Sequence, residues 1–210
     1  MTALAKAALA FLKREWSSQS DSAHDLAHID RVRRVAREIA TDEGPHDAEA
    51  LDIAAILHDL VNLPKDSPDR GRASSLSADK AAGWLLGQGL DPERISTVHH
   101  AIAAHSFSAG IPCQTTEARA LQDADRLEAL GAIGLARMFA VSGALGRGLF
   151  DPADPLAQSR QLDDKAFAMD HLETKLLKLP GMMQTEKGRQ IAKDRADFLI
   201  RFRAQLLSEL

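Results

Sequence analysis

Apolar positions along the chain recur three and four residues apart, the spacing of one face of an α-helix. Leu26, Ile29, Val32, Val35 and Ile39 follow it in a stretch ending near Gly44. Read this way, the pattern predicts eight helices. The first spans about Thr2 to Trp16, and a polar stretch from Ser17 to Ser22 separates it from the second. The third opens at Asp47, a residue type that caps helix N-termini, and runs to about Leu60. Two prolines and a glycine between Leu63 and Gly71 predict a loop. A fourth helix covers about Ser74 to Leu86. Asp91-Pro92 opens the fifth, a cap followed by proline at the first helical position. Thr115 or Thr116 starts the sixth, which is expected to continue to about Val141. Glycines and prolines between Ser142 and Asp164 predict a long loop, a candidate lid. The seventh helix is expected over about Asp164 to Leu179, and Thr185 caps the last.

Composition strengthens the helical reading. The 210 residues include 36 Ala and 28 Leu against 5 Val, 10 Ile and 7 Thr. Alanine loses no side-chain entropy in a helix, whereas β-branched side chains are stiff there. The whole chain therefore reads as all-α. With no repeat and no linker, it reads as one domain over 1–210.

Charge and cysteine usage remove several function classes. Net charge is −4, with 26 Lys+Arg against 30 Asp+Glu, which argues against a nucleic-acid polymer as partner. A single cysteine, Cys113, rules out an intrachain disulfide and a Cys-rich zinc site. The apolar stretch from Ala7 to Leu12 is too short for a secretory signal, and no run approaches the roughly 18 residues of a membrane span. The expectation is a cytoplasmic protein without a membrane partner, as a monomer or homodimer.

Candidate chemistry comes from polar residues on apolar faces, because a buried ionisable group needs a partner or a metal. His58 shares the stripe of Leu51, Ala54 and Ala55, with Asp59 beside it. His24 and His28 share a face four residues apart. At 100° per residue Asp125 falls with Ala118 and Leu121, while Asp123 is expected to point well away. His105 joins Ile95, Val98 and Ile102, whereas His100 falls on the opposite side. Arg195 lies among Ile191, Phe198 and Phe202, where it needs a carboxylate such as Glu173 or Glu128, or a phosphate. A His-Asp dipeptide alone means little, since three occur here and chance predicts roughly 0.8. The ordered set of His28, His58-Asp59 and Asp125 on separate helices is more specific. His46, His99 and His171 are expected to be surface or structural, and Trp16 and Trp84 to be core or rim aromatics.

These residues lie in stretches that resemble the HD-domain superfamily of metal-dependent phosphohydrolases, closely its YedJ-like bacterial subgroup. The matching segments are AHDLAHIDRV (23–32), ILHDLVNLPKDSPDRGRAS (56–74), HAIAAHSFSAG (100–110), TTEARALQDADRLEALGAIGLARMFAVSGALG (115–146) and LDDKAFAMDHLETKLLKLPGMMQT (162–185). The resemblance implies a single-domain helical bundle of the HD type. Its metal-binding core would span about 20–140, with C-terminal helices over 162–210 packed on it. The implied metal ligands are His28, His58, Asp59 and Asp125. Mixed imidazole and carboxylate donors suit a divalent cation: Mn, Fe, Co, Ni, Mg or Zn.

The activity implied is phosphoester cleavage by a metal-bound hydroxide, with a nucleotide as the expected small phosphorylated partner. His105 and His24 are the candidates to orient water or protonate the leaving group. Lys65, Arg70, Arg72, His100, Arg126, Lys175 and Arg195 are the candidate substrate contacts. Two other readings compete: a regulatory or ligand-binding HD protein with little turnover, and a two-metal oxygenase. The oxygenase would need His100 and His105 to complete a second metal site.

Overall fold

The computed structural model describes residues 1–16, 25–63 and 69–210, the side chain of Arg70 excepted. His24 and Lys65 thus lie outside the described residues. Nine helices are present among those described: α1 (Ala3–Trp16), α2 (Leu26–Glu43), α3 (Ala48–Leu57), α4 (Ala73–Gly87), α5 (Pro92–His105), α6 (Thr116–Leu127), α7 (Gly131–Ala144), α8 (Asp170–Thr174) and α9 (Glu186–Ser208). Short 3-10 turns occupy Arg70–Arg72, Phe107–Ala109 and Leu176–Met182. The described residues form no β-strand, only an isolated bridge between Gly148 and Phe167. The fold is all-α. Among the described residues no single helix is long and apolar enough to cross a membrane.

The chain divides into two compact units, Met1–Asp125 and Arg126–Leu210. In the first, α3 packs against α1, α2 and α5. Every residue of α3 from Ala50 onward is buried, as expected of a helix apolar nearly all round. The helix starts follow local chemistry. The Asp25 carboxylate accepts the His28 N–H at 2.7 Å, and Asp47 accepts those of Glu49 and Ala50 at 3.1 and 2.9 Å. Asp91 accepts the Glu93 N–H at 2.9 Å with Pro92 behind it. Asp47 also takes two hydrogen bonds from Arg94 of α5, at 2.6 and 2.8 Å, which hold its carboxyl below the usual range. Its own N–H donates to Glu117 of α6 at 2.7 Å, so one residue joins three helices.

In the second unit, α9 packs on α7 and on the 176–182 turn, with Phe139 and Phe202 edge to face at 5.9 Å. Two expectations are corrected here. The sixth helix does not run to Val141: it ends at Leu127, and α7 begins at Gly131. Gly131 has φ +69°, which an uninterrupted right-handed helix does not contain, and a Cβ there would lie 3.3 Å from Arg195 Cγ. The apolar spacing is the same on either side of the break and does not reveal it.

The seventh helix is also shorter, five residues of α8 followed by a 3-10 turn. Its expected first turn is unwound by side chains that capture backbone groups. Asp163 accepts the N–H groups of Lys165 and Ala166 at 2.9 and 3.2 Å. Asp164 is engaged by His171 at 2.9 Å, and Asp170 by Arg160 through two bonds at 2.6 and 2.9 Å. The preceding loop is tied internally by Asp154, which accepts from the Gln158 and Ser159 backbones, and by Arg160 stacked over Phe167 at 4.8 Å.

Candidate metal centre

Each candidate ligand sits where a helix starts or stops. His28 is in the first turn of α2, set by the Asp25 cap. His58 is the C-cap of α3, and Asp59 follows in the turn that leaves it. His105 is the last residue of α5, and Asp125 lies in the last turn of α6. Helix ends allow side chains from different helices to approach one another.

The approach is close. His28 Nε2 lies 3.3 Å from His58 Nε2, 3.6 Å from Asp125 Oδ1 and 3.7 Å from Asp59 Oδ2. His58 Nε2 lies 3.3 Å from Asp59 Oδ2 and 3.9 Å from Asp125 Oδ1. His105 Nε2 stands 3.9 Å from Asp59 Oδ1, its ring edge-on to that of His58. Two overlapping trios of donors result, His28–His58–Asp125 and His58–Asp59–His105.

Ring tautomers support a cation at this point. The Nδ1 of His58 faces the Ala55 carbonyl at 2.9 Å, and that of His105 faces the Ile102 carbonyl at 2.6 Å. A carbonyl only accepts, so Nδ1 carries the hydrogen and Nε2 turns a lone pair toward the cluster when the ring is neutral. A six-coordinate cation with bonds of about 2.1 Å separates neighbouring ligands by about 3 Å and opposite ones by about 4 Å. The separations of 3.3 to 3.9 Å fall in that interval. Either trio has donors that suit a divalent cation, and His58 is common to both.

Burial and charge pull the histidines in different directions. Burial opposes a charged His58, but Asp59 and Asp125 outweigh it and push its pKa up to about 9. Burial and the neighbouring His58 lower that of His105, which keeps the ring neutral.

The remaining candidates are spread out. His100 lies outside the cluster: its Nε2 accepts the Gln114 N–H at 3.0 Å. Arg72 is exposed and paired with Asp69 at 3.3 Å. Within the second unit, Lys175 is exposed, Arg126 donates to the Met182 carbonyl, and Arg195 donates to the Leu127 carbonyl at 2.6 Å. Glu173, expected as an alternative partner of Arg195, pairs with Arg203. His99 pairs with Asp79 and His171 with Asp164, both at 2.9 Å.

The placement of Asp123 corrects the helical-wheel expectation. It is fully buried at 0%, while the Asp125 side chain is 32% exposed. α6 is covered nearly all round, so a side chain that leaves one packed face meets another. Sequence reasoning also missed Trp16 and Ser77, whose side chains hydrogen-bond the turn carrying His58 and Asp59. They lie 43 and 16 positions from their partners, beyond any local pattern.

The HD domain family matches residues 25–130, a span that includes every residue of the cluster. The chain belongs to this family. YpgQ of Bacillus subtilis (strain 168) is 34% identical over 198 residues, covering 92% of this chain and 87% of that protein. The crystal structure of YpgQ in complex with ADP has a TM-score of 0.74 at 32% identity, covering 98% of this chain and 97% of the other. An HD-superfamily hydrolase from Bacillus thuringiensis has a TM-score of 0.76 at 32% identity, covering 98% and 96%.

Proposed function

We propose that this chain is a metal-dependent phosphohydrolase that cleaves a phosphoester, with nucleotides as the substrate class. The observation that carries the reading is that His28, His58 and Asp125 bring three donors within reach of one cation, and that His58, Asp59 and His105 form a second such trio sharing His58. When bound, a divalent cation would acidify a coordinated water and polarise a phosphoryl oxygen. His28, His58, Asp59 and Asp125 would hold it and leave open positions.

His105 adds a neutral imidazole beside Asp59. With its Nδ1 hydrogen committed to the Ile102 carbonyl, Nε2 can accept a proton or orient a water. Arg72, exposed at the start of α4, supplies positive charge for a phosphate. Lys65, Arg70 and His24 enter the reading from the sequence alone. Arg126 and Arg195 are each engaged with a main-chain carbonyl, of Met182 and Leu127. The ADP complex of YpgQ supports a nucleotide as the ligand.

The test is a screen of nucleoside mono-, di- and triphosphates with protein loaded with Mn²⁺, Co²⁺, Ni²⁺ or Mg²⁺. Metal-dependent release of phosphate or pyrophosphate, abolished by a chelator, is expected. A metal-replete protein that hydrolyses none of them overturns the proposal in favour of a ligand-binding HD protein.

A further inference from the structure

The residues His58 and Asp59 sit on a turn, not within a helix. α3 ends at Leu57, and the carbonyls of a helix end lack the intrahelical partners of its interior. A turn that must aim two adjacent side chains at one point needs its peptide planes held.

Two side chains hold them. The indole Nε1–H of Trp16, the last residue of α1, donates to the Asp59 carbonyl at 3.2 Å. Two residues on, the Ser77 hydroxyl of α4 accepts the Val61 N–H at 3.0 Å and donates to the Val61 carbonyl at 3.4 Å. Ser77 itself is fully buried and Val61 half-buried. The Leu60 N–H returns to the Leu57 carbonyl at 3.1 Å and tightens the turn between the two holds. Neither Trp16 nor Ser77 is among the residues that converge on the cluster.

We infer that Trp16 is a positioning residue for the His58–Asp59 ligand pair, acting through the Asp59 peptide, with Ser77 as the second clamp on the same turn. Rotating the Asp59 peptide swings its carboxylate, whose Oδ2 lies 3.3 Å from His58 Nε2 and whose Oδ1 faces His105. The indole N–H removes that freedom. α1 thereby has a role in the site although it supplies no ligand. Groups that orient metal ligands from outside are commonly worth about 10- to 100-fold in metal affinity. This inference rests on the reading that the cluster holds a divalent cation.

The experiment compares Trp16→Phe with wild-type protein by calorimetric titration of Mn²⁺ and by the visible spectrum of the Co²⁺-loaded form. Phenylalanine keeps an aromatic ring and removes only the donor. Mn²⁺ affinity is expected to fall about tenfold, with an altered Co²⁺ spectrum at saturation. A merely packing role would lower the melting temperature of the metal-free protein and leave the spectrum of the saturated protein unchanged. Trp84→Phe, at a ring stacked on Phe11, is the control and is expected to retain wild-type affinity. Ser77→Ala reads the same turn from the α4 side and is expected to weaken Mn²⁺ binding in the same direction. It keeps the test decisive should Trp16→Phe not fold. Wild-type affinity and an unchanged spectrum in Trp16→Phe, or in Ser77→Ala where Trp16→Phe does not fold, overturn the inference while leaving the metal reading intact. Failure of wild-type protein to bind either cation overturns both.

Discussion

His28 Nε2 and His58 Nε2 stand 3.3 Å apart, one from the first turn of α2 and the other from the end of α3, with both residues almost wholly buried. His58, with Nδ1 facing the Ala55 carbonyl, turns its Nε2 toward His28, and a proton or a cation can lie between the two nitrogens. With Asp125 3.6 Å from His28 and Asp59 3.3 Å from His58, the donors around the two rings are of the kind that could hold a divalent cation.

Removing one carboxylate tests the cluster directly. Asp59→Ala is expected to bind less than about a tenth of the wild-type metal while keeping its helical circular dichroism, because Asp59 is part-exposed in a turn. Elemental analysis of the purified variant reads the outcome. Full stoichiometry in the folded variant sinks the assignment.

Metal affinity is expected to depend on pH with a definite sign. Below about 9 the cation-free protein holds a proton on His58 that a cation must displace. Apparent affinity should therefore rise about tenfold per pH unit toward that value and then level off. The raised pKa also stabilises the cation-free fold. That contribution is complete below the unfolded value of 6.5 and is lost as pH rises through about 9. Calorimetric titrations at several pH values give the first slope, and thermal melts of the metal-free protein give the second. A flat affinity profile contradicts the proton competition.

Arg72→Ala bears on substrate and not on metal. Its guanidinium is 70% exposed and is shared only loosely with Asp69. With a nucleotide as substrate, KM is expected to rise about three- to tenfold with kcat nearly unchanged, the sign of binding equal in ground and transition states. A fall in kcat at constant KM would assign Arg72 to the transition state instead.

Gly131→Ala tests the break between α6 and α7. Its φ of +69° is costly for any residue with a Cβ, and the added methyl would meet Arg195 at 3.3 Å. A loss of about 1–2 kcal/mol is expected, read as a lower urea midpoint at unchanged slope. An unchanged midpoint would mean that the backbone relaxes there without penalty.

Much of this protein was legible before any coordinates, wherever the responsible interaction is local. Asp47, Asp91 and Thr185 cap the helices expected of them because a cap reaches only two or three residues along the chain. Apolar spacing singled out His58 and Asp125, Asp59 followed as the neighbour of His58, and the family resemblance implied these three and His28 as ligands. The helical wheel favours His105 over His100, and His105 is the histidine found beside Asp59.

Other features depend on interactions that no short window contains. The breaks after Leu127 and before Asp170 follow from a left-handed glycine and from the Asp163 carboxylate, which captures two backbone N–H groups. Asp123 is fully buried although the helical wheel turns it away from Ala118 and Leu121. The hold of Trp16 on Asp59 joins residues 43 positions apart. The sequence by itself determined helix content and caps, because those depend on side-chain type and on neighbours within a turn or two. Only the tertiary structure decided where the helices stop, how the donors meet and what braces them, because those depend on which distant side chain fills the remaining hydrogen-bonding and packing space.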